Sequence, residues 1–208
     1  FIKKNLTNTG LAVTKDFKNF MRLGRITESG LDDRDVILFP EKINGQYVMM
    51  HRPKEYVGSK YGVDYPAIWL KFSEDLLNWE SKESHLLIQG IEGTWEEKIG
   101  GSTPPLRTEE GWLVLYHGVE NKGRGYYRVG ALLLDIDNPL NIIGRTKNFI
   151  LEPELDNEVK GFYNGCVFPT GNVIVGETLY VYYGAGDTFV NLATCNVNEL
   201  LEFIKKNK

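Results

Sequence analysis

The sequence predicts an all-β fold of the β-propeller type, and three observations carry that prediction. Pro40, Pro105 and Pro169 recur 65 and 64 residues apart, after Val36-Ile37-Leu38-Phe39, Gly101-Ser102-Thr103-Pro104 (the weakest copy) and Cys166-Val167-Phe168. Each proline leads into a turn and then an aromatic-rich strand, at 47–50, 112–116 and 179–183. Each of those leads into a third strand ending at a polar turn, marked by Asp75, Asp137 and Asn198. Repeats of this length with several strands apiece are the signature of propeller blades. A fourth marker, Asp16, stands 59 residues before Asp75 with no proline or aromatic strand ahead of it. The count is three repeats and the tail of another, roughly three and a half blades in a single domain over 1–208.

The elements follow in order. Residues 1–26 read as the outer half of a blade: a strand at Leu11-Ala12-Val13-Thr14, a turn at Lys15-Asp16 and a return over 17–23. Residues 27–35 are a polar linker. Residues 36–90 form the first whole blade, with strands near 36–40, 46–51, 67–73 and 85–89. Asn44-Gly45 sets a tight hairpin turn ahead of Tyr47. The loop over 53–66, rich in Tyr, Gly and Lys, has the length of a functional loop. Residues 91–151 form the second blade and 152–204 the third. In Leu179-Tyr180-Val181-Tyr182-Tyr183 nearly every residue is β-branched or aromatic, which favours strand. The segment 198–207 reads as a short helix, with Leu200, Leu201 and Ile204 on one face and lysine at its end. Trp79 follows Asp75 as Phe20 follows Asp16, and both are expected as core plugs between blades.

Composition narrows the function. Hydrophobic residues make up 42% and charged residues 25%, ordinary for a globular domain. The 22 glycines and 21 Tyr plus Phe suit short strands joined by tight turns. A formal charge of −4 offers no basic face, so no nucleic-acid partner is expected. No apolar run approaches a membrane span, so no membrane partner is expected either. Cys166 and Cys195 suggest neither a disulfide framework nor a zinc site, and a reducing, cytoplasmic location is the expectation. The chain begins at Phe1 without Met or a signal-like segment, so the reading expects an N-terminus further upstream, where a signal sequence could lie. A homo-oligomer is compatible with the sequence.

Chemistry is expected where the repeats differ. The aromatic strands end in His51-Arg52-Pro53, Tyr116-His117-Gly118 and Gly184-Ala185-Gly186-Asp187. Shared blade geometry would put Arg52, His117 and Asp187 on one rim near the axis. A second divergent set precedes the prolines: Asp35, then Lys98 to Gly101, then Asn164-Gly165. Arginine, lysine, histidine and tyrosine together suit an oxyanion, the guanidinium as a planar fork and the ammonium as a point charge. Asp187 with aromatic neighbours suits sugar hydroxyls. Taken singly, Arg52 or Lys98 is better read as a solvated surface residue, His117 is as readily structural as functional, and Asp187 is a turn former. Their shared position in the repeat favours function.

These residues resemble glycoside hydrolase family 130. The similarity lies in the run from Val36 to Pro53, in Lys98-Ile99-Gly100-Gly101 with Pro104-Pro105, in 111–119, in Tyr127-Arg128-Val129-Gly130 and onward to Asp135, and in Tyr182-Tyr183-Gly184-Ala185-Gly186-Asp187. The resemblance implies a five-bladed β-propeller acting on β-mannosides by inverting phosphorolysis. That reaction releases α-mannose 1-phosphate, with inorganic phosphate as co-substrate and no other cofactor or metal. It implies phosphate binding by Arg52, Lys98, His117 and Tyr127 and sugar binding by Asp187. It places the general acid in a Glu-Asp-Pro-Arg type motif ahead of Gly10, which this sequence lacks. Asp32, Asp33 and Asp35 are tempting substitutes, but Asp35 matches an aspartate ahead of the family's Phe-Pro motif and is expected in local structure or binding, so no catalytic residue is assigned. Gly101-Ser102-Thr103 departs from the family's more usual Gly-Pro run. A β-mannoside hydrolase of the same fold and a sugar-binding propeller without catalysis are the competing readings.

Overall fold

Successive antiparallel sheets stacked face to face make up the computed structural model, which describes residues 6–120, 123 and 125–206. The N-terminal hairpin joins β1 (Gly10–Val13) to β2 (Met21–Arg25). The first large sheet runs β3 (Asp33–Leu38), β4 (Tyr47–Pro53), β5 (Ile68–Ser73) and β6 (Ser84–Ile88), each hydrogen-bonded to the next. The second contains β7 (Lys98–Gly101), β8 (Leu106–Thr108), β9 (Gly111–Val119), β10 (Tyr127–Leu134) and β11 (Ile142–Arg145). A short helix, α1 (Asp156–Val159), precedes the third sheet, β12 (Val167–Val175), β13 (Thr178–Ala185) and β14 (Phe189–Asn196), and the helix α2 (Val197–Lys206) ends the described chain.

Strand periodicity explains the stacking. All nine residues of β9 are buried, because both faces of its sheet are covered. Trp112, Val114 and Tyr116 face the first sheet, in a core with Phe39, Val48, Met50, Ile68 and Leu70. Leu113 and Leu115 face the other way, in a core with Val167, Leu179, Val181 and Tyr183 of the third sheet. Alternate residues of one strand thus feed two cores, as in a propeller blade. Helix α2 closes the second core with Val197, Leu200, Leu201 and Ile204, spaced to share one face. The Asn196 side chain accepts from the backbone N–H groups of Asn198 and Glu199 and caps that helix. No helix among the described residues is long and apolar enough to cross a membrane.

Several sequence expectations need correction. Strand β3 begins at Asp33, inside the predicted linker 27–35. The return strand β2 begins at Met21, because Phe17 sits in a turn with φ +54° held by the Asp16 carboxylate. Pro105 does not lead straight into a turn. The innermost strand of the second sheet is broken at Ser102 to Pro105 and resumes as β8, and both pieces pair with β9. Pro169 does not end its strand either: it lies within β12 opposite Tyr183, beside a bulge. A proline is tolerated there because β12 is a sheet edge and no missing N–H interrupts a ladder. Trp79 is a core plug at 1% exposure, its indole N–H bonded to the Leu76 carbonyl. Phe20 is not, at 60% exposure. The C-terminal helix begins at Val197, one residue before the expected start, and Asn207 lies outside the described residues.

Candidate functional site

The site forms where β4 and β9 end and β3, β7, β10 and β12 begin. Antiparallel pairing brings all these termini to one side of the sheets. Between Arg34 and Ile37 the register of β3 against β4 slips, leaving an extra residue on β3. Asp35 takes a left-handed conformation there, φ +52°. Such a bulge re-aims a side chain out of the strand's regular alternation, and it delivers the Asp35 carboxylate to Arg52. Asp35 Oδ2 accepts from Arg52 Nε at 2.6 Å and lies 3.8 Å from His117 Nε2. Two of the predicted residues, from different sheets, therefore meet on one oxygen.

Gly100 makes this meeting possible. It stands opposite His117 in the β7–β9 ladder. A Cβ on Gly100 would overlap Asp35 Oδ2 and would come within 2.6 Å of His117 Cε1 and 2.8 Å of Arg52 Nε. The strand lacks a side chain where the three groups converge.

His117 is 4% exposed, with Phe168 packed at 4.6 Å and Tyr127 at 5.5 Å between ring centroids. Burial dominates its titration and lowers its pKa to about 4, a shift the Asp35 charge opposes and the Arg52 charge reinforces. The imidazole is neutral at pH 7. It can therefore donate one N–H to a ligand but does not bring a full positive charge. Burial also raises the pKa of Tyr127, which keeps its phenol protonated as a donor. Lys98 opens β7 two residues before Gly100 and is exposed.

Asp187 is reached through Cys166. Tyr127 and Cys166 form a parallel β-bridge, and the Cys166 thiol lies 3.8 Å from Asp187 Oδ1. Asp187 itself turns left-handed, φ +53°, in the exposed connection between β13 and β14. Arg52, His117 and Tyr127 are thus brought together with Asp35, Asp187 stands at one margin, and Lys98 lies along the strand that carries Gly100. The other acidic residues weighed from sequence are committed elsewhere. Asp32 takes both Arg34 Nε and the Thr7 backbone N–H, and that arginine holds its carboxyl well below the usual range. Asp33 is buried against His51 Nδ1 at 2.9 Å, whose other nitrogen reaches Ser84 Oγ at 3.1 Å. The 53–66 loop packs on itself, with Tyr56 and Tyr61 stacked at 4.5 Å over Trp69.

Sequence reasoning understated Asp35 and missed Phe168 and Ser102. The signal for Asp35 and Gly100 was their shared place ahead of the prolines. Phe168 lies within an apolar repeat and looks like core. No group of three His, Cys, Asp or Glu side chains among the described residues is arranged to hold a metal ion.

Arg52, the neutral His117 imidazole and the Tyr127 phenol gather near the Asp35 carboxyl, donors of the kind that suit an oxyanion, and Lys98 is exposed on the strand that carries Gly100. Residues 3–206 match the family described as β-1,4-mannooligosaccharide phosphorylase, glycoside hydrolase family 130. The chain is 40% identical over 193 residues to a β-1,2-mannobiose phosphorylase of Listeria innocua, covering 92% of this chain and 51% of that protein. It is 38% identical over 191 residues to a 1,2-β-oligomannan phosphorylase of a Thermoanaerobacter species, covering 91% and 59%. The solved structure of the Listeria innocua β-1,2-mannobiose phosphorylase with β-1,2-mannobiose superimposes with a TM-score of 0.84 at 37% identity, over 95% of this chain and 53% of that one. The chain spans between half and three fifths of the length of these relatives. On the strength of that match across nearly its whole length, the chain belongs to glycoside hydrolase family 130.

Proposed function

We propose that the protein is an inverting β-mannoside phosphorylase that transfers a mannosyl unit to inorganic phosphate and releases α-mannose 1-phosphate. The observation that carries this reading is the convergence of Arg52 and His117 on Asp35 Oδ2 beneath the bare backbone of Gly100. A hydrolase needs a base to activate water; a phosphorylase needs donors that hold an anion already nucleophilic. This site is rich in donors. In the proposal Arg52 and Lys98 bind phosphate, His117 and Tyr127 each donate a hydrogen bond to it, and Asp187 binds mannose hydroxyls. Holding phosphate against the anomeric carbon supplies several kcal/mol of barrier lowering by position alone.

Asp35 is the carboxyl nearest the proposed phosphate site. Phosphate, arriving as an anion, competes with it for the Arg52 guanidinium. Asp35 thereby holds the Arg52 guanidinium in place until phosphate enters, and no general acid is assigned among the residues of this site. The relatives named for β-1,2-linked substrates support β-1,2-mannosides as the substrate class. Five blades, with residues 1–208 belonging to a single propeller, form part of the same proposal.

The test is turnover of β-1,2-mannobiose with and without phosphate, followed by phosphorus and proton NMR. The proposal expects α-mannose 1-phosphate in step with mannose, and no turnover without phosphate. Free mannose released at the same rate without phosphate would establish the hydrolase reading instead.

A further inference from the structure

Ser102 stands where the family resemblance leads one to expect a Gly-Pro run, and its environment gives the departure a role. Its backbone N–H continues the β7–β9 ladder by bonding the Leu115 carbonyl at 3.3 Å. Its hydroxyl oxygen lies 3.3 Å from His117 Nδ1. The opposite ring nitrogen, Nε2, faces Asp35 Oδ2 at 3.8 Å, on the Arg52 side. Phe168 and Tyr127 pack against the ring and hold its plane.

A neutral imidazole has one N–H, and the partner of one nitrogen decides which of the two carries it. An ionised carboxylate only accepts hydrogen bonds, whereas a serine hydroxyl donates or accepts. One assignment suits both neighbours: the proton sits on Nε2, where it faces the Asp35 carboxylate across 3.8 Å, and Nδ1 accepts from the Ser102 hydroxyl. Without the hydroxyl, Nδ1 loses the donor that keeps it an acceptor, the Nδ1–H form gains, and in that form a bare lone pair faces the oxyanion.

We propose that Ser102 is a positioning residue that fixes the His117 tautomer, turning Nε2–H toward the bound phosphate. This rests on the phosphate reading of His117, but the contact with the ring stands apart from it. A proline at position 102 has no hydroxyl and could not play this part.

The experiment compares the wild type with Ser102→Ala and Ser102→Thr. Long-range nitrogen–proton NMR distinguishes the tautomers of the three histidines, His51, His85 and His117. The expected result is Nε2–H for His117 in the wild type and a shift toward Nδ1–H in Ser102→Ala. The KM for phosphate rises about threefold to tenfold, the range one hydrogen bond supplies, while the KM for mannoside stays within about twofold. Ser102→Thr keeps the hydroxyl and restores both readouts. Unchanged His117 nitrogen shifts in Ser102→Ala would overturn the inference. So would both KM values rising together without rescue by threonine, the mark of a structural residue. A tautomer change with an unaltered phosphate KM would uphold the action of Ser102 on the ring and remove the phosphate reading of His117.

Discussion

Asp35 links the two cationic or donor groups that the sequence singled out, and its chemistry can be separated from theirs. Asp35→Asn keeps the shape of the carboxyl and loses its charge, and with it the charge-assisted contact that orients Arg52. Phosphate affinity by calorimetry should fall about threefold to tenfold. Unchanged phosphate affinity would return Asp35 to a purely structural role. His117 yields a second expectation from its titration. Its folded pKa, about 4, lies below the unfolded value of 6.5, so the unfolded chain takes up a proton that the native ring refuses. Its contribution is fully present above about pH 6.5 and is lost as pH falls toward about 4, amounting to about 3 kcal/mol at most. Urea unfolding between pH 4.5 and 7 should show this slope, and His117→Gln should flatten it. An identical slope in the variant would mean the ring is hydrated in the native state. Repeat position singled out Arg52, His117 and Asp187 in the sequence, and the family resemblance added Tyr127. The roles of Asp35 and Ser102 were not legible there, since they depend on a one-residue bulge and on cross-strand register, which residue identity alone does not specify.

At the scale of elements, β7 and β9 act as a unit, because the site needs a strand without side chains opposite His117. Gly100→Ala would press a methyl group between Asp35, His117 and Arg52. Activity should drop at least about tenfold, while unfolding shifts only by the 1–3 kcal/mol typical of overpacking. Full activity in this variant would mean that the Asp35–Arg52 contact is dispensable. The two expected core plugs part company in the same way. Trp79→Ala should cost about 3–5 kcal/mol in urea unfolding, and Phe20→Ala less than about 0.5; comparable losses would contradict the burial described. Most strands were readable from aromatic and β-branched alternation. The broken strand at Ser102 to Pro105 and the proline inside β12 were not, because edge position, which decides whether a missing N–H matters, is a property of the sheet.

Across the whole molecule, three stacked sheets and a hairpin hold donors from β4, β7, β9 and β10 at one end. The same stacking leaves the far face of the third sheet uncovered, with Val173, Val175, Tyr182, Val190 and Leu192 exposed. The propeller type was legible in the 65- and 64-residue spacing of the prolines, since each repeat is one sheet that must bury both faces against its neighbours. The number of blades was not, because each repeat reports only its own neighbours. The central claim is that side chains of neighbouring sheets form one oxyanion site, and calorimetric titration of inorganic phosphate into the wild type and Arg52→Gln tests it most directly. The account predicts saturable phosphate binding by the wild type, weakened about tenfold or more by loss of one charge-assisted contact. Equal phosphate affinity in the two proteins, or none in the wild type, would contradict it.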